Sequence, residues 1–272
     1  MYHQVTELYF KLVLSEMEQI ALQEHFKDDF FLNRLQRINR YFRLLIQSFQ
    51  VMSSGMEREQ FMKFRMALLP ASGFQSVQFR MIEICATDFK FLVNNDFFRQ
   101  IDTHTTVAEM YEQVYWKTGA TELATGKKTL TLKQFEDKYA AKLLRLAVQY
   151  QDCNLWRLFK KRSSQSQAIT EALRTFDALV NVDWRLAHLS SAIKYLQRDT
   201  DTLAATGGTN WQKYLPPKSQ QRMFFPELWT DQEKDEWGKK WVVEQLGKQA
   251  NESWKTAKNK GNGRGGWHLI LL

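Results

Sequence analysis

The chain is poor in the residues that punctuate β-structure. Only 12 glycines and 4 prolines are spread over 272 positions, whereas a fold of strands and tight turns needs such residues every ~8–12 positions. The shortage predicts an all-α fold. Cysteine is scarcer still: Cys85 and Cys153 are too few for a disulfide framework or a four-thiolate zinc site, which points to a reducing, cytoplasmic home. No apolar run approaches the ~18 residues of a membrane span, and Met1-Tyr2-His3-Gln4 does not open a signal peptide, so no membrane partner is expected. Also missing are a phosphate loop with Lys-Ser/Thr, a Gly-x-Ser-x-Gly nucleophile turn and a dinucleotide fingerprint. The five histidines, His3, His25, His104, His188 and His268, include no pair at metal-ligand spacing, which argues against a protein-only metal centre. Charge of one sign is not gathered either. The net +8 arises from 38 basic against 30 acidic residues dispersed along the chain, and no nucleic-acid partner is expected.

What is present is ordinary globular material, 44% hydrophobic and 25% charged, in a chain long enough to bury roughly three quarters of its surface. From Tyr2 to about His25, Val5, Leu8, Tyr9, Leu12, Val13, Met17 and Ile20 recur at three- and four-residue steps, the signature of a helix with one buried face. A second such stretch runs from Phe31 to Met52, a third from Arg58 to Leu68, and a fourth from Phe74 to Phe91 beyond the corner at Pro70. Threonines dilute the pattern between residues 94 and 134, which predicts a small insert of short helices and loops. Helix is expected again over Leu132–Lys161 and over Ser166–Gln197, with Ser164 or Ser166 as cap. A loop should come next over Thr200–Phe225, then a last amphipathic helix over Glu227–Ala250. The expected organisation is a single domain over residues 1–257 and a disordered tail over 258–272.

Three residues invite a chemical reading. His188 sits on a helical stretch with Ala187, Ser191 and Ala192 around it, and small neighbours leave room for a flat macrocycle whose iron needs a single axial imidazole. The alternative is a core histidine packed beside Trp184 with its ring nitrogen satisfied. Arg65, one or two turns before the corner Leu69-Pro70-Ala71-Ser72-Gly73, could clamp a carboxylate bidentately with Ser72 nearby, or merely cap its own helix. His3 could be a base over a bound ligand or a solvated histidine near the chain's start.

Together these segments resemble the tryptophan 2,3-dioxygenase family. Tyr2-His3-Gln4-Val5-Thr6-Glu7-Leu8-Tyr9-Phe10-Lys11 is similar to that family's His-Gln-x-x-Glu-Leu-Trp-Phe-Lys. The stretch from Phe64-Arg65 through Pro70-Ala71-Ser72-Gly73-Phe74-Gln75-Ser76-Val77-Gln78-Phe79-Arg80-Met81-Ile82-Glu83 is a close and specific match. Trp184-Arg185-Leu186-Ala187-His188, Thr206-Gly207-Gly208 and Phe225-Pro226-Glu227-Leu228-Trp229 fit as well. The resemblance implies a helical bundle enclosing haem b, with His188 as the axial ligand to its iron and Trp184 beside it. It implies that His3 faces the indole nitrogen of the substrate, that Arg65 grips the carboxylate, and that Thr206, Ser72 and Phe61 complete the substrate pocket. It further implies L-tryptophan and O₂ as substrates, N-formylkynurenine as product, and a homo-oligomer, tetramer or dimer.

Departures from the family pattern concentrate on substrate enclosure. The sequence begins almost at His3, where family members carry a preceding segment that reaches a neighbouring subunit's active site. Phe61 stands where a tyrosine is common, and His188 and Thr206 are 18 positions apart, a longer spacing than usual, with Thr209-Asn210-Trp211 directly beyond. A rebuilt lid keeps two other functions in play. One is a relative that inserts a single oxygen atom into another indole or aromatic amino acid; the other is a helical binding protein that has lost its haem.

Overall fold

A computed structural model describes residues 2–23, 27–55, 57, 59–60, 63, 76–118, 120, 128–162, 166–198, 201–202 and 221–238. Within them the fold is all-α, apart from a two-residue ladder after the last long helix and an isolated antiparallel bridge between Val93 and Val114. Helix α1 (Tyr2–Ala21) buries Phe10, Val13, Met17 and Ile20, and α2 (Asp28–Ser54) buries Phe31, Leu35, Ile38, Phe42 and Leu45. Alternating three- and four-residue steps keep each set on one stripe, so the two helices bury their apolar faces together. Asp28 and Asp29 in the first turn of α2 complement its dipole.

Helix α3 (Val77–Ala86) starts at Ser76, whose hydroxyl accepts the Phe79 amide at 3.2 Å. The expected helix to Phe91 is cut after Ala86. Thr87 is extended and donates its hydroxyl to the Phe224 carbonyl, and only a 3₁₀ turn, Phe89–Leu92, comes after it. The insert region holds three short helices, α4 (Asn95–Phe98), α5 (Val107–Glu112) and α6 (Tyr115–Thr118). Asn94 caps α4, and a reciprocal Thr106–Glu109 box caps α5. Tyr111, Val114, Tyr115 and Trp116 join the same apolar cluster as α1 and α2.

The expected helix over Leu132–Lys161 is two helices, α7 (Leu130–Gln149) and α8 (Leu155–Lys160). Asn154 makes the break: its side-chain oxygen accepts the Arg157 amide at 2.9 Å while its amide nitrogen donates to the Tyr150 carbonyl at 3.1 Å. Helix α9 (Gln167–Ala178) has Ser166 at its cap position, though the hydroxyl makes no capping bond. It continues without interruption through a π-helical segment, Leu179–Asp183, into α10 (Trp184–Leu196). β1 (Gln197–Arg198) then pairs antiparallel with β2 (Asp201–Thr202). Of the last helix expected over Glu227–Ala250, the described part is a 3₁₀ turn, Pro226–Leu228, and α11 (Asp231–Asp235). Most of the third expected helix, and the tail 258–272, lie outside the described residues.

Helix α2 is central, packed against α1, α9 and α10, while α1 also packs on α3, and α3 on α7. Val182 of the π segment, Leu186 and Trp237 form a smaller, separate apolar cluster. Cys85 and Cys153 are both free thiols. No helix among the described residues is long and apolar enough to cross a membrane.

Candidate functional site

The site begins with the continuous helix formed by α9, the π segment and α10. Asp177, fully buried near the end of α9, accepts the Phe224 and Phe225 amides at 2.9 and 3.1 Å, the Trp229 indole at 3.0 Å and the Asn181 side chain at 2.8 Å. Burial pushes this carboxyl up and the four donors oppose the shift. One carboxylate thus pins residues 224–229 against the helix at the point where its ladder widens. A π segment adds a residue to the turn and rotates the helix beyond it. The residues turned in this way are Trp184 and, one turn later, His188.

Trp184 is buried edge-on against Phe10 and Phe49, with ring centroids 5.8 and 5.0 Å away. The half-buried His188 ring lies 4.6 Å from Trp184 and 4.4 Å from Phe49. Its Nδ1 is 2.8 Å from the Trp184 carbonyl oxygen. A carbonyl only accepts, so the proton is on Nδ1 and Nε2 keeps its lone pair. Burial pushes the imidazole down to about 4, helped by the charges of His3 and Arg185 and opposed by the Trp184 bond. His188 is therefore neutral near pH 7. A neutral imidazole with Nδ1–H tied to a backbone carbonyl is the kind of donor an iron centre takes, so His188 is a residue that could hold a haem iron.

His3 comes from the opposite end of the described chain, in the first turn of α1, where it is exposed. It nevertheless lies close enough for its charge to weigh on His188. Desolvation lowers its own ionisation, with Glu7 one turn on acting the other way. Gln78 holds that turn in place, donating to the Glu7 carbonyl at 2.9 Å and to its carboxylate at 2.7 Å. Gln78, within the long matching stretch of the sequence, thereby fixes the helix that carries His3.

Comparison with known proteins gives this geometry a context. The model of the family described as tryptophan 2,3-dioxygenase matches residues 1–161. A tryptophan 2,3-dioxygenase of Geobacillus thermodenitrificans is 30% identical over 249 residues, covering 84% of this chain and 80% of that relative. The chain belongs to the tryptophan 2,3-dioxygenase family. Shorter stretches of 88 residues are 43% identical to the Alteromonas mediterranea tryptophan 2,3-dioxygenase and 39% identical to tryptophan 2,3-dioxygenase B of Danio rerio, covering 30% of this chain and 24% and 21% of those relatives.

For this family member, the structure packs two of the expected site residues, Trp184 and His188, ring against ring, and carries a third, His3, in the first turn of α1. The other four, Phe61, Arg65, Ser72 and Thr206, lie outside the described residues. Some neighbours of the site carry no signal in the sequence. Phe49 is legible as a core position of α2 but not as the ring against His188. A second feature sits one turn before His188. Arg185, Arg80 and Arg222 surround the Tyr115 ring, with guanidinium carbons 5.4, 5.6 and 4.5 Å from its centroid. Arg80 is buried, and although burial alone would lower it, Glu83 and Tyr115 hold its ionisation above the ordinary arginine value. Desolvation brings Arg222 down to about 10. The i, i+3 spacing of Arg80 and Glu83 is a visible signal for their pair; nothing local points to Tyr115 or Arg185 as partners.

Proposed function

We propose that this chain is a haem-dependent oxygenase that opens the indole C2–C3 bond of L-tryptophan with O₂ and gives N-formylkynurenine. The observation that carries the reading is His188, a neutral imidazole with its proton fixed on Nδ1, in a member of this family. His188 would hold the iron of haem b through Nε2, with Trp184 alongside. When bound, the haem supplies the activation of O₂. The chain's own residues do the rest. The Trp184 carbonyl keeps the imidazole in one tautomer, and the Trp184 and Phe49 rings keep water from its flanks. His3 orients the indole N–H, so its loss weakens turnover without abolishing it. Arg65 grips the substrate carboxylate as a bidentate fork, and Phe61, Ser72 and Thr206 line the amino-acid end and the ring. A single domain over residues 1–257, assembly as a homo-oligomer and a cytoplasmic location belong to the same proposal.

The test is product analysis with ¹⁸O₂ and L-tryptophan on reduced, haem-loaded protein. Two labelled atoms in N-formylkynurenine are expected. A single labelled atom, or a haem spectrum without turnover, would move the reading to another oxidation or another indole. His188→Ala should purify without stoichiometric haem, and full retention would remove the axial assignment.

A further inference from the structure

Among the described residues, helix α10 is held on its apolar side by ring contacts. Trp184 meets Phe10 and Phe49, and His188 meets Phe49, edge to face. Such contacts hold one side of the helix and leave its polar side to other partners. The helix also emerges from the π segment Leu179–Asp183, which rotates α10 relative to α9 and leaves a widened turn just before His188. The polar side of the helix carries a second set of contacts that bears on the direction in which His188 points.

The polar hub one turn upstream has the geometry to do so. Arg185 and His188 are three residues apart and share a side of the helix. Arg185 Nη2 donates to the Tyr115 hydroxyl at 3.1 Å, Arg80 Nη1 donates to the same oxygen at 2.8 Å, and the hydroxyl donates to Glu83. Arg80 closes the circuit with Glu83 at 2.6 Å. A phenolic oxygen has one proton to give and two lone pairs to fill, and here all three are used. Three helices, α3, α6 and α10, meet at that atom.

We propose that Tyr115 and Arg185 are positioning residues for His188, a rotational clamp that aims its Nε2. The inference rests on the reading of His188 as the axial iron ligand. Neither residue touches the haem in this proposal; Tyr115 acts through Arg185, and Arg185 through the helix. Removing a group hydrogen-bonded to the metal ligand itself typically changes metal affinity ~10–100-fold, and that is the upper bound for a clamp acting through the helix.

The experiment uses the holoprotein. Ferric haem release into excess apo-globin and the ferrous iron–imidazole stretching frequency by resonance Raman are measured for the parent, Tyr115→Phe, Arg185→Gln and the double variant. Tyr115→Phe removes one oxygen and keeps the ring. It should release haem several-fold, up to ~10-fold, faster and shift the stretch, with helix content unchanged by circular dichroism. Arg185→Gln should do the same, and the double variant should be no worse than the worse single, because both cut one link. Parental release and an unshifted stretch in Tyr115→Phe would overturn the clamp, as would multiplying effects in the double variant. Should Tyr115→Phe fail to fold, Arg185→Gln decides by the same two readouts. Stoichiometric haem in His188→Ala would instead sink the ligand assignment, a failure distinct from that of the clamp.

Discussion

Two carboxylates in this protein keep nearly the same company and live under different rules. Glu16 on α1 takes Arg34 at 2.8 Å, Arg37 at 2.7 Å and the Tyr41 hydroxyl at 3.2 Å, all from α2. Glu83 on α3 takes Arg80 and the Tyr115 hydroxyl, with Arg185 bonded to that same hydroxyl. Both carboxylates are buried, but their partners are not alike. The Arg37 side chain is 44% exposed and Arg34 21%, against 5% for Arg80. Arg80 is further enclosed between the Phe79 and Trp116 rings, each centroid 4.9 Å from its guanidinium carbon. Glu16 therefore joins two helices at the rim, where an arginine that loses its partner can turn to water. Glu83 sits in the interior junction behind His188, where it cannot. Burial of the partner, rather than the number of contacts, decides what each carboxylate is worth.

The sharpest way to break the comparison is to remove the carboxylates one at a time. Glu83→Ala leaves the Arg80 cation without its counter-charge inside the core, and a loss of ~3–5 kcal/mol in the free energy of unfolding is expected from denaturant titration. A loss under ~1 kcal/mol would mean that water already reaches Arg80. Glu16→Ala should cost only about 1 kcal/mol, because Arg37 and part of Arg34 are already hydrated. Salt sharpens the contrast. Raising ionic strength to ~1 M shortens the screening length to about 3 Å, so the Glu16→Ala difference should shrink while the Glu83→Ala difference stays. Equal salt dependence in the two variants would remove the distinction between rim and interior.

How much of this is legible in the sequence depends on where the deciding contact lies along the chain. Helices α1 and α2 are readable almost to their ends, since their stripes run unbroken and few polar residues intrude. The breaks after Ala86 and at residues 150–154 are not, because each is made by a distant or single polar contact, Thr87 to the Phe224 carbonyl and Asn154 to Tyr150 and Arg157. The π segment leaves no trace in the pattern: Leu179, Val180, Asn181 and Val182 are all buried, so there is no alternation to interrupt. His188 is legible through its motif and its small neighbours, but the rings and carbonyl that define its chemistry are not. Asp177 escapes notice for the same reason, as four donors from Asn181 and from residues 224–229 give it its role.

The smallest effect expected is a cancellation, and it places two opposed groups within one stretch of helix. In the haem-free chain, burial holds His188 at about 4 and, by desolvation alone, raises Asp183 to about 6. The unfolded chain protonates the imidazole near 6.5, so stability from His188 is lost as pH falls from about 6.5 through about 4. Asp183 works the other way. Folded, it keeps its proton up to about 6, while the unfolded carboxyl releases it near 3.9, so stability is gained as pH falls across that window. Between pH 7 and pH 5 the two amount to a loss of about 2 kcal/mol and a gain of about 1.3 kcal/mol. Parent stability should thus change little on their account. Asp183→Asn removes the gain alone, and urea titrations of the haem-free variant at the two pH values should show an acid-side loss larger than the parent's by about 1.3 kcal/mol. His188→Gln should reverse the slope, leaving the chain more stable at pH 5 than at pH 7. Identical slopes in parent and Asp183→Asn would mean that Asp183 is as well solvated folded as unfolded, and that the helix entering the site carries one opposed group rather than two.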